Sequence, residues 1–536
     1  MKRFSLIVGL IAAVAVTGCT TSFRDNQSGI VKTESGLLQG SVRDGIYTYL
    51  GVPYAEAHKR FMPAEKVKHW EGVRNATEYG PVSPQSQLTG FPEAPGSKDN
   101  NSQNLNIWTP GIDGEKRAVM VWLHGGGFSS GSAQEVPAYN GENLSRKGDV
   151  VVVSVNHRLN VVGHLDLSAY GDEYKYSANI GELDIIDSLK WIKDNIASFG
   201  GDPENVTLFG ESGGGAKVLT MMSSPYAEGL FNKGIVQSGA TESMGVNFTT
   251  LDASRRVGEL TLRNLGITKE NIDAIQTVPY QKLVEESMKA QVETAGEFGL
   301  RGALSGQIAM DWEPVVDGDF LPTNPVTPDS FALSGKDVPL LIGSNLNEWA
   351  GMNLVMGSDK GKSFTDAEIE QRLSNTYGAK KEQVVTEFLN AYPEKNKEDA
   401  LYFDAFIRLP LLKIMSHKAD QNGAPVYAYV MSYGSPLAYH TAEIPLVFNS
   451  PNAVPPISTG SEKSEAEKLA DEKMAETMSS AWIAFAKTGK PSAPELPEWQ
   501  TYTRDNGATM IFDTESRLAH GHDRNLIKIL APDYQW

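Results

Sequence analysis

Short, almost wholly apolar runs alternate with amphipathic stretches through the middle of the chain. The apolar runs predict buried strands at residues 105–108, 117–123, 149–154, 206–211, 233–238 and 338–343. Residues 183–198 place isoleucine and leucine at helical spacing before Gly200 and Gly201, which predicts an amphipathic helix with a glycine stop. Repeated strand and helix units of this kind predict an α/β fold, with a mostly parallel mixed sheet and helices on both faces.

Other stretches predict structure at the edges of this sheet. Residues 30–42 and 46–52 are β-rich and carry glycine turns, which predicts a β-meander. Residues 81–104 are rich in proline, serine, glycine and asparagine and predict a surface loop. Residues 250–310 and 355–420 contain amphipathic stretches, for example at 366–377, and are predicted to form helical insertions that cap the sheet.

The first residues have the pattern of a secretory signal peptide. Met1-Lys-Arg3 is basic, and residues 4–16 are apolar but too few to span a bilayer, which takes about 20 apolar residues. Val16-Thr-Gly-Cys19 resembles a bacterial lipoprotein signal, in which the chain is cut before the cysteine and the cysteine is acylated. The alternative is an ordinary signal peptide with a chance cysteine.

These patterns predict how the chain is divided and where it is located. The predicted segments are a signal peptide at 1–18, a polar tether at 19–30 and a single α/β domain at 31–536. We expect secretion across the inner membrane and a lipid anchor on Cys19 in the bacterial cell envelope.

Composition narrows the class of function. Hydrophobic residues make up 40% and charged residues 21% of the 536-residue chain, as in an ordinary soluble globular protein. The formal net charge of −18 disfavours a nucleic-acid partner, which would require a clustered basic surface.

The candidate chemistry centres on Ser212, in the pattern Gly210-Glu-Ser-Gly-Gly214. In a tight strand-to-helix turn, side chains two positions before and after the serine would collide with the neighbouring helix and strand, so glycine is needed there. Such a turn lifts the hydroxyl clear of the sheet and points a helix N-terminus at it. Because the pattern is common by chance, its meaning depends on an oxyanion site, an acid and a histidine elsewhere.

An oxyanion site is predicted at His124-Gly-Gly-Gly-Phe128, where a buried strand ends. Three consecutive glycines leave their backbone N–H groups unshielded by side chains, so the loop can hold an anion; the alternative is a flexible turn.

Many segments occur in an order typical of one family: Gly51-Val-Pro-Tyr-Ala55, Arg60-Phe61, Leu105-Asn-Ile-Trp-Thr-Pro110, His124-Gly-Gly-Gly-Phe128, Asn156 with Arg158-Leu159, Phe199-Gly-Gly-Asp-Pro203, 206–214, Gln237-Ser-Gly239, Pro314-Val-Val-Asp-Gly318, Trp482 with Phe485-Ala486, and Thr488-Gly-Lys-Pro491. In this order they resemble the type-B carboxylesterases, the cholinesterase-like branch of the α/β-hydrolases. The resemblance covers nearly the whole mature chain. It implies an α/β-hydrolase fold and a serine carboxylesterase activity.

The predicted base is His440. The fold orders its triad as serine, acid and histidine, so both partners must follow Ser212. The histidines that come late enough are His417, His440, His520 and His522. His440 lies in a segment similar to the family's His-x-x-Glu-Ile-Pro, the alternative being a loop histidine with a structural hydrogen bond. His520 and His522 are predicted to lie on the solvated surface, and His417 on a helix face.

The predicted acid is Glu348. It ends Gly343-Ser-Asn-Leu-Asn-Glu348, after a buried strand, and matches the family's Gly-x-Asn-x-x-Glu segment. A carboxylate just beyond a central strand can reach an imidazole on a neighbouring loop. Asp317 is the competitor, but its segment resembles a structural turn of the family.

The resemblance also implies roles around the triad. The N–H groups of Gly126, Gly127 and Gly213 are expected to hold the oxyanion. Gly213 replaces the alanine that is common in the family, which keeps the donor but is expected to loosen the backbone. Glu211 and Ser238 match positions beside the triad in the family, and a purely structural role for each stays open. We expect a small-molecule ester as substrate, with no cofactor and no metal.

Several departures from the family bear on the substrate. Asp99-Asn-Asn-Ser102 stands where the family often has Ser-Glu-Asp-Cys, so the N-terminal disulfide loop is absent. The loop at 81–104 contains no tryptophan, which disfavours choline esters because a cation platform is missing. His157, Asn160 and His164 replace tyrosine, glycine and phenylalanine and predict no particular ester.

Two other functions stay open at this point. A catalytically inactive adhesion module is disfavoured because such relatives typically lose the serine, whereas this chain keeps Ser212 together with the other elements. An interfacial lipase or polyesterase is compatible with an enzyme anchored at a surface. The sequence predicts neither the acyl and alcohol preference nor the oligomeric state.

Overall fold

The computed structural model describes residues 29–85, 98–302, 307–355, 357–434, 437–453 and 463–536. The predicted signal peptide, Cys19 and nearly all of the predicted tether lie outside these residues, as does the middle of the predicted loop at 81–104. Among the described helices, none is both long and apolar enough to cross a membrane.

A large mixed sheet forms the centre of the fold. The strands are β1 (Ile30–Lys32), β2 (Leu37–Gln39), β3 (Ser41–Arg43), β4 (Ile46–Pro53), β5 (Val73–Asn75), β6 (Asn104–Thr109), β7 (Arg117–Leu123), β8 (Val151–Val155), β9 (Gly201–Glu211), β10 (Lys233–Gln237), β11 (Thr249–Thr250), β12 (Val315–Val316), β13 (Leu340–Asn345), β14 (Val426–Met431), β15 (Ala508–Phe512) and β16 (Arg517–His520). Within the described residues, eleven of them form one sheet in the order β16-β15-β14-β13-β10-β9-β7-β8-β6-β4-β3. Strands from β8 to β15 pair in parallel, and those at both edges pair antiparallel.

The alternation of side chains along β7 shows why its run is apolar throughout. Val119 and Val121 lie in the core on one face of the sheet, whereas Met120 and Trp122 lie in the core on the other. Helices therefore cover both faces, and the predicted mostly parallel sheet is confirmed.

The helices are α1 (Glu142–Gly148), α2 (Asn160–His164), α3 (Ile180–Asn195), α4 (Gly213–Ser223), α5 (Leu251–Leu265), α6 (Tyr280–Phe298), α7 (Glu348–Val355), α8 (Asp366–Tyr377), α9 (Lys381–Ala391), α10 (Ala405–Asp420), α11 (Ile444–Val447), α12 (Glu465–Thr488) and α13 (Arg524–Leu530). The helix predicted at 183–198 is α3, which begins three residues earlier and continues as a 3₁₀ turn to Phe199. Gly200 ends it with φ of +77°, a conformation that favours glycine. The helix predicted at 366–377 is α8, which starts with a capping box between Thr365 and Glu368.

Several strand predictions need correction. Strand β9 begins at Gly201, five residues before the predicted start, and β13 spans Leu340–Asn345, two residues beyond the predicted 338–343. The predicted meander is divided between sheets, since β1 and β2 pair with β5 in a small separate sheet while β3 and β4 join the main one. The strand predicted from Asp149 begins at Val151, because Asp149 caps α1 in the left-handed region, at φ +44°. Its carboxylate accepts a hydrogen bond of 2.6 Å from Arg117 Nε.

The two insertions that are predicted to form a cap pack in different ways. Helices α5 and α6 pack on each other and on α2 around a core of their own, which includes Val161, Leu260 and Leu283. Helix α10, by contrast, contributes Leu411 and Ile414 to the core beneath β13 and β14. Because these apolar side chains are buried in the core beneath the sheet, α10 flanks the sheet and does not cap it.

Candidate active site

Ser212 lies on the turn between β9 and α4, with a backbone φ of +55°. That conformation is unfavourable for a side chain and costs about 1 to 3 kcal/mol. A Cβ at Gly210 would lie 2.5 Å from the carbonyl carbon of Gly214, and one at Gly214 would overlap the Leu123 carbonyl oxygen. The flanking glycines are therefore required by space, and they keep the strained serine at the end of its strand.

Glu348 and His440 are in direct contact. His440 Nδ1–H donates to Glu348 Oε2 over 2.6 Å. The other carboxylate oxygen accepts a hydrogen bond of 2.6 Å from Ser238 Oγ and one of 2.7 Å from the Asn345 backbone N–H. Glu348 is 0% and His440 2% exposed, so three donors hold the buried carboxylate against the imidazole.

Glu211 lies on the other side of the same imidazole. Its Oε1 atom is 3.3 Å from His440 Nε2, the nitrogen opposite Glu348. Burial raises the pKa of Glu211 well above its usual value, against the attraction of His440, and the carboxyls of Glu443, Glu348 and Glu135 raise it further.

The pKa of His440 depends on these carboxylates. Burial lowers it, but the negative charges of Glu211 and Glu348 outweigh burial and raise it to about 9. Glu211 raises the pKa of His440 only when its carboxyl is ionised.

Glu443 extends this network and was not singled out from the sequence. Its Oε1 accepts from Gln237 Nε2 over 3.2 Å and its Oε2 from Asn345 Nδ2 over 2.6 Å. Gln237 in turn accepts from the indole N–H of Trp482 over 3.0 Å. The signal was present, since Glu443 is the acid of the His-x-x-Glu-Ile-Pro segment that identified His440.

The glycine loop after β7 lies against the serine turn. Gly126 and Gly127 have φ of +81° and +61°, and a Cβ at Gly125 would lie 3.4 Å from Ser212 Cβ. A Cβ at Gly213 would overlap the backbone of Gly127. Glycine at 213 thus allows the two backbones to approach each other closely. This role differs from the predicted one, in which the glycine loosens the backbone. Gly126, Gly127 and Gly213 lie together.

Comparisons with known proteins identify the family. The sequence model of the Carboxylesterase family matches residues 27–528. The chain belongs to this carboxylesterase family. It is 32% identical to the para-nitrobenzyl esterase of Bacillus subtilis (strain 168), over 94% of this chain and 98% of that protein. It is 30% identical to the phenmedipham hydrolase of Pseudarthrobacter oxydans, over 91% and 95% respectively.

Solved structures give the same result. An esterase from Clostridium hathewayi superposes with a TM-score of 0.82 at 34% identity, over 93% of this chain and 97% of that one. The carboxylesterase EST55 of Geobacillus stearothermophilus superposes with a TM-score of 0.73 at 31% identity, over 95% and 100%. The α/β-hydrolase fold and the hydrolysis of carboxylic esters follow from this membership. Within the described residues no group of three or more metal-binding side chains is found.

The family departures at His157 and His164 lie in a buried polar cluster of this carboxylesterase. The cluster centres on Lys217, which is 0% exposed and donates from Nζ to the His124 carbonyl oxygen over 2.9 Å. Burial lowers the pKa of Lys217 to about 7, against the opposing pull of Glu182 and Glu135. The His124 and His157 rings stack at 5.1 Å. The feature of the sequence that could have indicated this cluster is Lys217, a charged residue within the otherwise apolar helix that follows Ser212.

The departure at Asn160 has a backbone cause. Asn160 has φ of +50°, where the family's glycine is unstrained and asparagine is among the better-tolerated alternatives. Its Nδ2 donates to the carbonyl oxygens of Pro84 and Ser129.

The other candidates for the acid and the histidine of the triad have different surroundings. Asp317 accepts from the backbone N–H groups of Asp319 and Leu321, as in a structural turn. His520 is paired with Gln500 at the surface, and His417 lies on α10. The prediction that His522 is solvated is wrong, since its imidazole is 5% exposed. A buried ion pair between Asp523 and Arg408 draws this segment inward.

Proposed function

We propose that the chain hydrolyses its esters through an acyl-enzyme on Ser212, with His440 as general base and Glu348 as the acid that orients it. The observation that carries this proposal is the 2.6 Å contact between His440 Nδ1 and a Glu348 carboxylate held by two further donors. Such a contact selects the neutral tautomer in which Nε2 carries no proton and can accept one, and it stabilises the imidazolium that then forms.

The proposed reaction has two halves. Ser212 Oγ attacks the ester carbonyl carbon while His440 Nε2 takes its proton, and the oxyanion is held by the N–H groups of Gly126, Gly127 and Gly213. The C–O bond then breaks, and His440 returns the proton to the departing alcohol. In the second half water attacks the acyl-enzyme with His440 again as base, which releases the acid and Ser212. Lys217 donates a hydrogen bond to the carbonyl oxygen of His124, the first residue of the glycine loop. This bond helps to hold the loop that binds the oxyanion.

We propose uncharged esters as substrates. Residues 81–104 contain no tryptophan, so this loop lacks the cation platform that would favour a quaternary ammonium group there. A second candidate substrate class is favoured by the similarity to the Clostridium hathewayi esterase, whose description states that it can hydrolyse aliphatic aromatic polyesters.

A panel of esters tests both classes. Acyl length and alcohol are varied separately on soluble esters, and one emulsified and one polymeric ester are added. Soluble uncharged esters are expected to be hydrolysed with little gain at an interface. A sharp rise in rate only above the solubility limit would favour the interfacial lipase or polyesterase, and exclusive turnover of choline esters would contradict the proposal.

Glu211→Gln is expected to move the acidic limb of the kcat/KM profile to lower pH. His440 accepts a proton only when neutral, so activity is lost as the pH falls through its pKa. Removing the carboxyl whose negative charge raises the pKa of His440 lowers that pKa. The measurement is kcat/KM for p-nitrophenyl acetate from pH 5 to 10.

Glu313→Gln is the matched control for this change. It removes another buried carboxyl, one whose polar neighbours are Asp311 and Thr249 instead of His440 and Glu211. Its acidic limb is expected to match wild type. An unchanged limb in Glu211→Gln would mean that Glu211 carries no charge that His440 senses.

We also propose that residues 1–18 are a lipoprotein signal peptide and that Cys19 is acylated in the cell envelope. Support comes from the basic start, the apolar segment and the position of the chain's one cysteine. Each buried CH₂ of an acyl chain adds about 0.8 kcal/mol, so several chains give a durable anchor.

Cys19→Ser is expected to abolish membrane attachment without loss of esterase activity. In a bacterial host, wild type should incorporate labelled palmitate and partition into the detergent phase, whereas the variant should do neither. Unlabelled wild-type protein in the aqueous phase would contradict the anchor.

A further inference from the structure

Trp349 covers the imidazole of His440 and has no part in the triad. It follows Glu348 in the first turn of α7, and its ring centroid lies 4.4 Å from that of His440 with 32° between the planes. His440 is buried, whereas Trp349 is only partly buried. One side of the indole therefore contacts the imidazole while part of the residue remains accessible.

The surroundings of Trp349 are apolar, and the residue packs both against the main core of the sheet and against a smaller cluster. Met352 and Tyr439 form a small cluster of their own, against which Trp349 and Ala442 pack. The cluster joins α7 to the segment that carries His440, and a Cβ at Gly351 would lie 3.2 Å from Tyr439 Cβ. The imidazole is thus bordered by carboxyl groups at its nitrogens and by an aromatic, apolar wall at its face.

We propose that Trp349 is a positioning and specificity-determining residue, which holds and stabilises the His440 imidazolium and forms a wall for the alcohol part of esters with an aromatic leaving group. The inference rests on the proposed role of His440 as the base. In that role Nε2–H must approach the departing alcohol oxygen to hydrogen-bond distance, about 3 Å. A group that lies on the face of the imidazole, as Trp349 does, is therefore close to the alcohol attached to that oxygen.

Two physical effects favour this role. An indole face attracts a cation within about 6 Å of its centroid, so it stabilises the imidazolium of the transition state more than the neutral ring of the free enzyme. An aromatic leaving group can pack on the edge or the exposed part of the indole, a contact that an alkyl group makes less well.

The first test compares kcat/KM of wild type, Trp349→Phe and Trp349→Leu on acetate esters of phenol and 2-naphthol and on those of ethanol and cyclohexanol. Comparing each ester between variants cancels its intrinsic reactivity. Trp349→Leu is expected to lose about tenfold or more on the aryl esters and clearly less on the alkyl esters, while Trp349→Phe restores most of the aryl activity. Trp70→Leu, in the N-terminal region, is the matched control and should keep the wild-type aryl-to-alkyl ratio.

The second test follows the stacking itself. An imidazolium quenches a stacked indole, so the fluorescence difference between wild type and Trp349→Phe should change with pH over the acidic limb of kcat/KM. The titratable groups that face His440 are Glu211, Glu348 and Glu443. In Glu211→Gln the pH at which the fluorescence changes should therefore fall together with the acidic limb of kcat/KM. This measurement does not need Trp349→Leu to fold.

The outcomes separate the inference from the proposed function. If hydrolysis depends on Ser212 but the aryl-to-alkyl ratio and the fluorescence titration are unaffected by Trp349, the inference is wrong and the triad stands. If Ser212→Ala retains wild-type activity, the proposed function itself is wrong. A selective aryl loss restored by phenylalanine supports the inference.

Discussion

Ser212→Ala is expected to lower kcat/KM for p-nitrophenyl acetate by roughly 10⁴ to 10⁶-fold, because it removes the hydroxyl proposed to form the acyl-enzyme. The fold should persist, since the turn is set by the glycines at 210 and 214 and not by the serine hydroxyl. Circular dichroism and a melting temperature within a few degrees of wild type would show this.

Ser223→Ala provides the matched control at the far end of the same helix. The Ser223 hydroxyl donates a hydrogen bond to the Leu219 carbonyl oxygen within α4. Near-wild-type activity is expected of it. Full activity in Ser212→Ala would exclude Ser212 as the nucleophile.

Glu348→Gln is expected to lower kcat by about four orders of magnitude. The carboxylate accepts from His440 at one oxygen and from Ser238 and Asn345 at the other. A glutamine has only one oxygen, so its NH₂ group must face a donor on one side, and the imidazole loses both its orientation and its counter-charge. The measurement is kcat on p-nitrophenyl acetate at a pH above the acidic limb.

Asp317→Asn is the control for the choice of acid. Asp317 accepts from two backbone N–H groups in a turn, so this variant should cost some stability and little activity. Loss of activity in Asp317→Asn together with a nearly wild-type Glu348→Gln would show that the acid has been assigned to the wrong residue.

The parts of the site that could be predicted are those set by local geometry. Glycine at 210 and 214 follows from the space around a strand-to-helix turn, and the run at 117–123 follows from burial on both faces of the sheet. The resemblance placed Glu348 and His440 in segments that the fold brings within 2.6 Å of each other.

The remaining features depend on contacts between distant parts of the chain. The sequence indicates only that Lys217 lies in a helix. Its hydrogen bond to the His124 carbonyl oxygen exists only because the fold brings the two residues together. His522 looks solvated beside its charged neighbours, but Arg408 pairs with Asp523 and buries the imidazole. Trp349 gave no signal, because only the folded chain stacks it on His440.

The most direct test of the account is labelling with a fluorophosphonate followed by mass spectrometry of the whole protein and of its peptides. The account predicts one adduct per chain, on Ser212, with esterase activity lost in proportion to labelling and no adduct in Ser212→Ala. An active enzyme without an adduct, or inactivation by an adduct on another serine, would contradict it.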